Sequence, residues 1–435
     1  MECRIDKNKV HAIMKKKNIK TQSELAKKLG ITKNQLSVML SAKSSPFKSN
    51  IQLLSKTLQI SPLEIITSFN DDSFEYSEKK SEVTESINQF VDVANVKAFK
   101  KYNVLELFAG AGGLACGLEK AGFNTIGLVE IDKYAAESLR INRPKWNVIE
   151  ADIIDVADNG ICNYLPKDIQ IDLLSGGYPC QSFSYAGHKK GLDDVRGTMF
   201  FYYARILEQI MPKIFLAENV KGLITHDSGK TLKTMISVFE NIGYNVSYHI
   251  LKANDYNVAQ KRERTVIVGI RKDINEKYLP PKPYEYKPVL KDALMNVPPS
   301  SGEQYPEKKK KVLELVPPGG YWRDLPDDIA KDYMGKSYYS GGGRTGMARR
   351  ISWDEPCLTL TCSPAQKQTE RCHPDEVRPF TIREYARIQS FPDDWEFYGS
   401  NSQQYKQIGN AVPVEMAKAI GLSIISVLNK TTGIK

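Results

Sequence analysis

The sequence predicts a doubly wound α/β body preceded by an all-α domain and carrying a second, smaller domain late in the chain. Three observations lead there. Short apolar runs alternate with amphipathic stretches from Tyr102 onward, a glycine-rich turn (AGAGG) follows the first run, and residues 1–68 keep helical spacing. A length of 435 residues leaves room for about three domains. Hydrophobic residues make up 41% and charged residues 26%, and no apolar run approaches the roughly 18 residues of a membrane span, so a membrane protein is not expected. The opening MECRIDKNKV lacks the apolar core of a secretory leader, which predicts a cytoplasmic protein. Seven scattered cysteines without a CxxC pair predict neither a disulfide framework nor a metal site; Cys357, Cys362, Cys372 and His373 come nearest to a ligand cluster. Lys+Arg 61 against Asp+Glu 51 gives +10, which fits a polyanionic partner, nucleic acid first.

In residues 1–68, Val10, Ile13 and Met14 and then Leu25 and Leu29 recur at helical spacing. Within TQSELAKKLGITKNQLSVMLSAKSSP, Thr21 can cap a helix holding Leu25, Ala26 and Leu29. Gly30 then makes a tight turn, and Thr32 caps a second helix with Leu36, Met39 and Leu40. The small Ala26 lets the helices approach, Ile31 is expected to be buried in the turn, and Lys33, Asn34, Gln35 and Ser37 would face a DNA major groove. This stretch resembles the phage-repressor type of helix-turn-helix; an ordinary helical hairpin with a basic outer face is the plainer alternative. Residues 69–100 are acidic, serine-rich and poor in large apolar groups, and read as a linker.

From Tyr102 the elements follow in order. YNVLELF is a strand, LACGLEKAG a helix, TIGLVE a strand and YAAESLRIN a helix. Further strands are expected at NVIE, IDLLSG, KIFLAEN, NVSYHIL and RTVIVGI, with helices at about 198–210 and 230–241, and the spacing implies parallel order throughout. Residues 101–275 make the catalytic body, 276–400 a smaller domain, and 401–435 a segment that packs back on the body.

The chemistry is placed at strand ends. Gly110, Gly112 and Gly113 follow the first strand, and Glu130 ends the second, 20 positions beyond Gly110. Glycines let backbone approach a ligand and the acid can hold the hydroxyls of a ribose, so a nucleoside cofactor is expected. These residues alone do not separate a nicotinamide dinucleotide from S-adenosylmethionine. GGYPCQSFS ends the fourth strand and ENVKG the fifth, and neighbouring carboxyl ends share one crevice, so Cys180 and Glu218 should meet there as nucleophile and acid.

From about residue 102 to 428 the sequence resembles the cytosine-C5 DNA methyltransferases of bacterial restriction–modification systems. The ordered blocks are FAGAGG at 108–113, VEID at 129–132, ADI at 151–153, GGYPCQSFS at 176–184, RGTMFF at 196–201 and ENVKGL at 218–223. QKRERTVIVG at 260–269, RPFTIREYARIQSFPDDW at 378–395 and QIGNAVPV at 407–414 complete them. The resemblance implies a Rossmann-like S-adenosylmethionine-dependent body with a smaller target-recognition domain. It implies that the Cys180 thiolate adds to C6 of a flipped cytosine so that C5 can take a methyl group. Glu218 would serve N3 and the exocyclic amine, Arg264 the cytosine O2, and Arg262 would order the site, a plain salt bridge being the alternative for Arg262. For the cofactor it implies Phe108 on the adenine, Glu130 at the ribose, Asp152 at the adenine amine, Pro179 and Met199 along the wall, Asn410 with Ala411 on the far side, and Ile131 and Ile153 as further cofactor contacts. Gln181, Ser184 and Arg196, in or beside the 181–197 loop, would contact DNA, that loop closing over the duplex. Two positions depart from the family pattern: Glu106 stands in place of the usual Asp and Ala151 in place of a common Gly.

Within the variable segment, Arg344, Arg349, Arg350, Gln366 and Gln368 are candidates to read base edges, with phosphate contact as the alternative. The expected partners are double-stranded DNA as substrate, promoter DNA through residues 21–40, and a cognate restriction endonuclease without a stable complex. A transfer-RNA cytosine methyltransferase and a DNA-binding regulator with an inert body are the alternatives.

Overall fold

The computed structural model describes residues 3–5, 7–17, 19, 21–32, 36, 40, 54, 57–58, 66–68, 89–179, 198–339 and 346–432. They fall into two compact units, Met1–Ser86 and Ile87–Lys435. The first holds α1 (Lys7–Lys16) and α2 (Gln22–Leu29). Thr21 caps α2 by accepting from the Glu24 amide at 3.1 Å, and Gly30 ends it in the left-handed region at φ 68°. Val10, Met14, Leu25, Ala26, Leu29, Leu36 and Leu40 share one apolar cluster, with Ile31 half-buried at its edge rather than enclosed. The unit is not purely helical: β1 (Cys3–Ile5) pairs antiparallel with β2 (Ile66–Ser68) and ties its two ends together. Lys33, Asn34, Gln35 and Ser37 lie outside the described residues, as does the acidic segment as far as residue 88.

The second unit is built on a seven-stranded sheet. Its strands are β3 (Tyr102–Leu107), β4 (Phe123–Glu130), β5 (Val148–Glu150), β6 (Leu173–Gly176), β7 (Ile214–Val220), β8 (Tyr244–Lys252) and β10 (Glu263–Arg271), in the order β5-β4-β3-β6-β7-β10-β8. β9 (Gln260–Lys261) pairs separately with β11 (Cys357–Leu358). Leu105 and Leu107 point to one face and Val104 to the other, all buried, as expected of a central strand covered on both sides. The crossovers are α3 (Gly113–Ala121), α4 (Lys133–Asn142), α5 (Ile153–Asn159), α6 (Met199–Ile210) and α7 (Lys230–Ile242). Thr198 starts α6 by accepting from the Phe201 amide at 3.2 Å, and Phe200, Tyr203, Ala204 and Leu207 then form its buried stripe.

Parallel order holds only as far as β7. β10 runs antiparallel to both β7 and β8. Residues 253–262, which join β8 to β10, contain only a short 3-10 turn and the two-residue β9, and without a crossover helix the chain must return antiparallel.

The later part of the unit contributes α8 (Leu290–Leu294), α9 (Glu307–Glu314), α10 (Asp327–Met334), α11 (Ile382–Ile388), α12 (Asn401–Asn410) and α13 (Val414–Lys430). A small core of Tyr305, Leu313, Trp322, Leu325, Met334, Ala348 and Cys372 lies under the variable segment, whereas Cys357 belongs to a different cluster with Phe380, Tyr385 and Trp395. The stretch 401–430 is apolar and long enough by composition to cross a membrane, and 78% of its apolar window is buried within the protein. Its main partner is α3. The end of the linker also rests on the body: Asn429 accepts from the Phe99 amide at 3.1 Å and donates to the Lys97 carbonyl at 2.8 Å.

The α3–α13 contact depends on Gly117, where a Cβ would come within 2.4 Å of both the Ala417 Cβ and the Val414 carbonyl oxygen. Gly117→Ala is expected to lower stability by about 1–3 kcal/mol through overpacking, read as an earlier denaturant midpoint. An unchanged midpoint would show that the helices separate at no cost.

Candidate active site

The carboxyl ends of β3, β4, β6 and β7 open into a cavity of about 720 Å3. Phe108, Gly110, Gly113, Glu130, Ile131, Pro179, Glu218, Arg262, Arg264, Asn410 and Ala411 all line it, so residues more than 300 positions apart in sequence converge there. A second cavity of about 320 Å3 is lined by Phe108, Glu130, Ile131, Asp152, Ile153, Pro179 and Met199. Phe108, Glu130, Ile131 and Pro179 belong to both, which makes one cleft with an apolar end and a charged end. Cys180, Gln181, Ser184, Arg196 and Arg344 lie outside the described residues.

The turn after β3 is held by Glu130. Its Oε2 accepts from the Gly110 amide and its Oε1 from the Asp132 amide, each at 2.7 Å. Burial raises its pKa, and those two backbone bonds pull it back. Phe108 occupies the left-handed region at φ 56°, a conformation that costs a non-glycine residue on the order of 1–3 kcal/mol. Asp152 caps α5 by accepting from the Ile154 amide at 2.9 Å. Gly112 departs from the grouping: its missing Cβ faces Leu139 and Trp395, at 2.7 and 2.9 Å, and serves packing beneath the turn.

The donor set fits a nucleoside. Phe108, Ile153, Pro179 and Met199 offer apolar walls for a flat ring, Asp152 stands among them as an acceptor, and each Glu130 oxygen retains a lone pair for a hydroxyl.

At the charged end, Arg264 Nε lies 2.7 Å from Glu218 Oε1, and both side chains are 12% exposed. At that distance the guanidinium and the carboxylate are in direct charge contact. Burial raises the Glu218 pKa against the opposing pull of Arg264 and Arg262, favouring a carboxyl that holds a proton. Gly177 gives Glu218 its space, since a Cβ there would come within 2.8 Å of Oε2. Arg262 is buried and, among the described residues, forms no salt bridge of the kind considered from sequence. It donates to the carbonyls of Leu360, Gly409 and Ala411 at 3.3, 3.0 and 3.0 Å, and burial lowers its pKa to about 9.

Several residues of the cleft were not singled out from sequence. Asn219 donates to the Tyr178 carbonyl at 3.0 Å, anchoring the backbone two residues before Cys180; its place beside Glu218 in ENV was the available signal. Thr359, Leu360, Thr361 and Cys362 line the large cavity, and Cys362 Sγ lies 3.0 Å from Asn410 Oδ1. Among the base-reading candidates, Arg350 donates to the carbonyls of Val316, Pro374 and Asp375, and Arg349 pairs with Glu355 at 3.3 Å. Gln366 and Gln368 are exposed.

A doubly wound sheet with such a cleft at its carboxyl ends and an acid–arginine pair beside it fits an enzyme that holds a nucleoside cofactor next to its substrate. Residues 102–426 match the family of C-5 cytosine-specific DNA methylases, and residues 10–65 match a helix-turn-helix family. The type II methyltransferase M.Sau96I of Staphylococcus aureus is 58% identical over 98% of this chain and 99% of its own. The type II methyltransferase M.Eco47II of Escherichia coli is 55% identical over 76% of this chain and 80% of its own. A solved Escherichia coli structure, described as a DNA modification methyltransferase encoded within a prophage, is 26% identical with a TM-score of 0.57, covering 76% of this chain and all of that one. The chain belongs to the C-5 cytosine-specific DNA methylase family and is a DNA (cytosine-5)-methyltransferase with an amino-terminal helix-turn-helix domain. The RNA-directed and inert-body alternatives are not favoured by these matches.

Glu106, also in the cleft, is 1% exposed, and burial raises its pKa well above the usual carboxyl range. A group that binds its proton more tightly when folded stabilises the fold less as pH rises from its unfolded value near 4.5 toward its folded value. Glu106→Gln removes that loss. Its stability relative to the parent is therefore expected to improve as pH rises from 5 to 8, measured by urea unfolding. The same difference at both values would contradict a buried neutral Glu106.

Proposed function

We propose that this enzyme is the modification methyltransferase of a type II restriction–modification system. It transfers a methyl group from S-adenosylmethionine to C5 of a cytosine flipped out of a short duplex site. The observation that carries the reading is the placement of Glu218 and Arg264 beside Pro179, at the mouth of the nucleoside-shaped cleft. The match of nearly the whole chain to a type II methyltransferase supports the restriction–modification assignment. Its functional partner is a cognate endonuclease, and the cytoplasm is where both act.

Bound S-adenosylmethionine supplies an electrophilic methyl group on sulfur. Phe108, Ile153, Pro179 and Met199 would wall its adenine, with Ile131 lining the same cavity, Asp152 would accept from the amine, Glu130 would hold the ribose, and Asn410 with Ala411 would close the other side. Gly110 and Gly113 let the turn come close. Cys180, adjoining Pro179, adds its thiolate to C6 of the cytosine, and the ring electrons move toward N3. Glu218, whose pKa burial raises, donates a hydrogen bond or its proton at N3, and C5 becomes nucleophilic. Arg264 binds the cytosine O2. After C5 is alkylated, water or hydroxide takes the C5 hydrogen, the C5–C6 double bond re-forms, and Cys180 leaves as thiolate. Gln181, Ser184 and Arg196 contact the duplex, and Gln366, Gln368 and Arg344 of the variable segment read it; the exposure of Gln366 and Gln368 supports that role.

The test is transfer of labelled methyl to unmethylated duplex DNA and to transfer RNA, followed by base-resolution mapping. Label at one recurring duplex site is expected, with Cys180→Ser at background and Glu218→Gln lowered at least about 100-fold in kcat. Label confined to RNA would overturn the substrate. The arm is proposed to bind promoter DNA through Lys33, Asn34 and Gln35. Their triple change to Ala is expected to erase a footprint on the enzyme's own promoter while leaving methylation in place, and an unchanged footprint would reject that role.

A further inference from the structure

Three deeply buried polar side chains at and behind the cleft wall make their hydrogen bonds chiefly to backbone. Gln260 is fully buried, Arg262 2% exposed and Gln389 fully buried. Gln260 Oε1 accepts from the Leu360 amide at 3.0 Å, and its Nε2 donates to Gln389 Oε1 at 2.9 Å. Gln389 Nε2 in turn donates to the carbonyls of Ile408 and Ala411 at 2.8 and 3.2 Å. Arg262 spans the same gap, with Nη1 on Leu360 and Nη2 on Gly409 and Ala411.

The two segments so joined both line the large cavity and make different contacts there. Loop 409–412 lies on the glycine turn, because the position of a Cβ on Gly113 is filled by the Val412 carbonyl oxygen at 2.3 Å and the Ala411 Cβ at 3.0 Å. Segment 359–362 lines the charged end and runs on to the exposed Gln366 and Gln368. The segments also touch directly, since a Cβ on Gly409 would meet the Thr361 carbonyl oxygen at 2.5 Å. Arg371, 6% exposed, extends the chain by donating to the Thr359 carbonyl through Nε and Nη2 at 3.2 and 3.0 Å. A guanidinium serves this role because its planar fork reaches both carbonyl sets at once, which an ammonium cannot. A shift of either segment breaks bonds in a dry interior, where each lost partner costs the full desolvation of a polar group.

We propose that Gln260, Arg262 and Gln389 are positioning residues that couple the two ligand sites, so that filling the glycine-turn side tightens binding of the duplex, and the reverse. This rests on the reading above that the cleft takes S-adenosylmethionine at one end and a flipped cytosine at the other. Coupling of this kind is reciprocal: the factor by which one ligand changes the other's affinity is the same in both directions.

The experiment is calorimetric titration of the intact enzyme with S-adenosylhomocysteine, alone and with a duplex carrying the mapped methylation site, and the matching titration of duplex with and without S-adenosylhomocysteine. The parent enzyme is expected to bind each ligand at least about 5-fold more tightly in the presence of the other, by equal factors. In Arg262→Lys, which keeps the charge but not the fork, and in Gln260→Glu, which keeps size and the acceptor for Leu360, the factor is expected to fall below about 2-fold while each ligand alone still binds. Thermal melts identify a variant that fails to fold, and the near-isosteric Gln260→Glu then carries the test. Retention of the parental factor in a folded variant would overturn the proposal, as would a parent enzyme that binds both ligands independently. Absence of any S-adenosylhomocysteine binding to the parent would instead reject the donor reading on which the proposal stands.

Discussion

The site exists because β10 runs against its neighbours. The first residues of β10, not its last, arrive at the crevice where β6 and β7 end, and Arg264 stands opposite Val220, two residues past Glu218. Were the nine-residue β10 parallel to β7, its arginines would start at the far edge of the sheet, about 25–30 Å from the acid they contact. The reversal also brings Gln260 and Arg262, just before the strand, under segment 357–361, which pairs with β9. One change of strand direction thus places the acid's partner and the buried polar bridge together.

Burial then sets the electrostatics. Glu106, Glu130 and Glu218 all have pKa values raised by desolvation, while Arg262 and Arg264 are lowered by it. Concentrating these groups in one cleft disfavours charge on the acids and leaves Glu218 poised between an arginine that wants it ionised and a surrounding that does not. An acid so balanced can present a proton at N3 of a pyrimidine at neutral pH, which a solvated carboxyl would have lost. The same burial opposes stability, a familiar exchange at functional sites.

Much of this was legible in the sequence. The helices at 199–210 and 230–242 fall within about one residue of expectation, since capping groups and amphipathic spacing are local signals. The glycine turn, Glu130 and Glu218 were placed by the rule that ligands sit at carboxyl ends of strands. Strand direction was not legible, because alternation and apolar runs report burial and carry no arrow. Nor was the use of Arg349 and Arg350, whose partners are backbone carbonyls and a glutamate brought near only by folding. Gly112 looked like part of a ligand-binding turn, and the tertiary contact with Trp395, from a block nearly 300 residues away, gives it a packing role. Gln260 and Gln389 stood within the quoted blocks QKRERTVIVG and RPFTIREYARIQSFPDDW, but the bond between them has no local signature.

The central claim is a covalent bond between Cys180 and C6 of the target cytosine, and the described lining of the cleft carries another thiol, Cys362, that could compete for it. A duplex with 5-fluorocytosine at the methylated position tests this directly, because fluorine at C5 cannot be removed as a proton and the adduct stalls. Incubated with S-adenosylmethionine, the enzyme should form a complex that survives denaturing electrophoresis, and mass spectrometry of its peptides should place the base on Cys180. A crosslink at Cys362, or no adduct from an enzyme that methylates the unmodified duplex, would contradict the account.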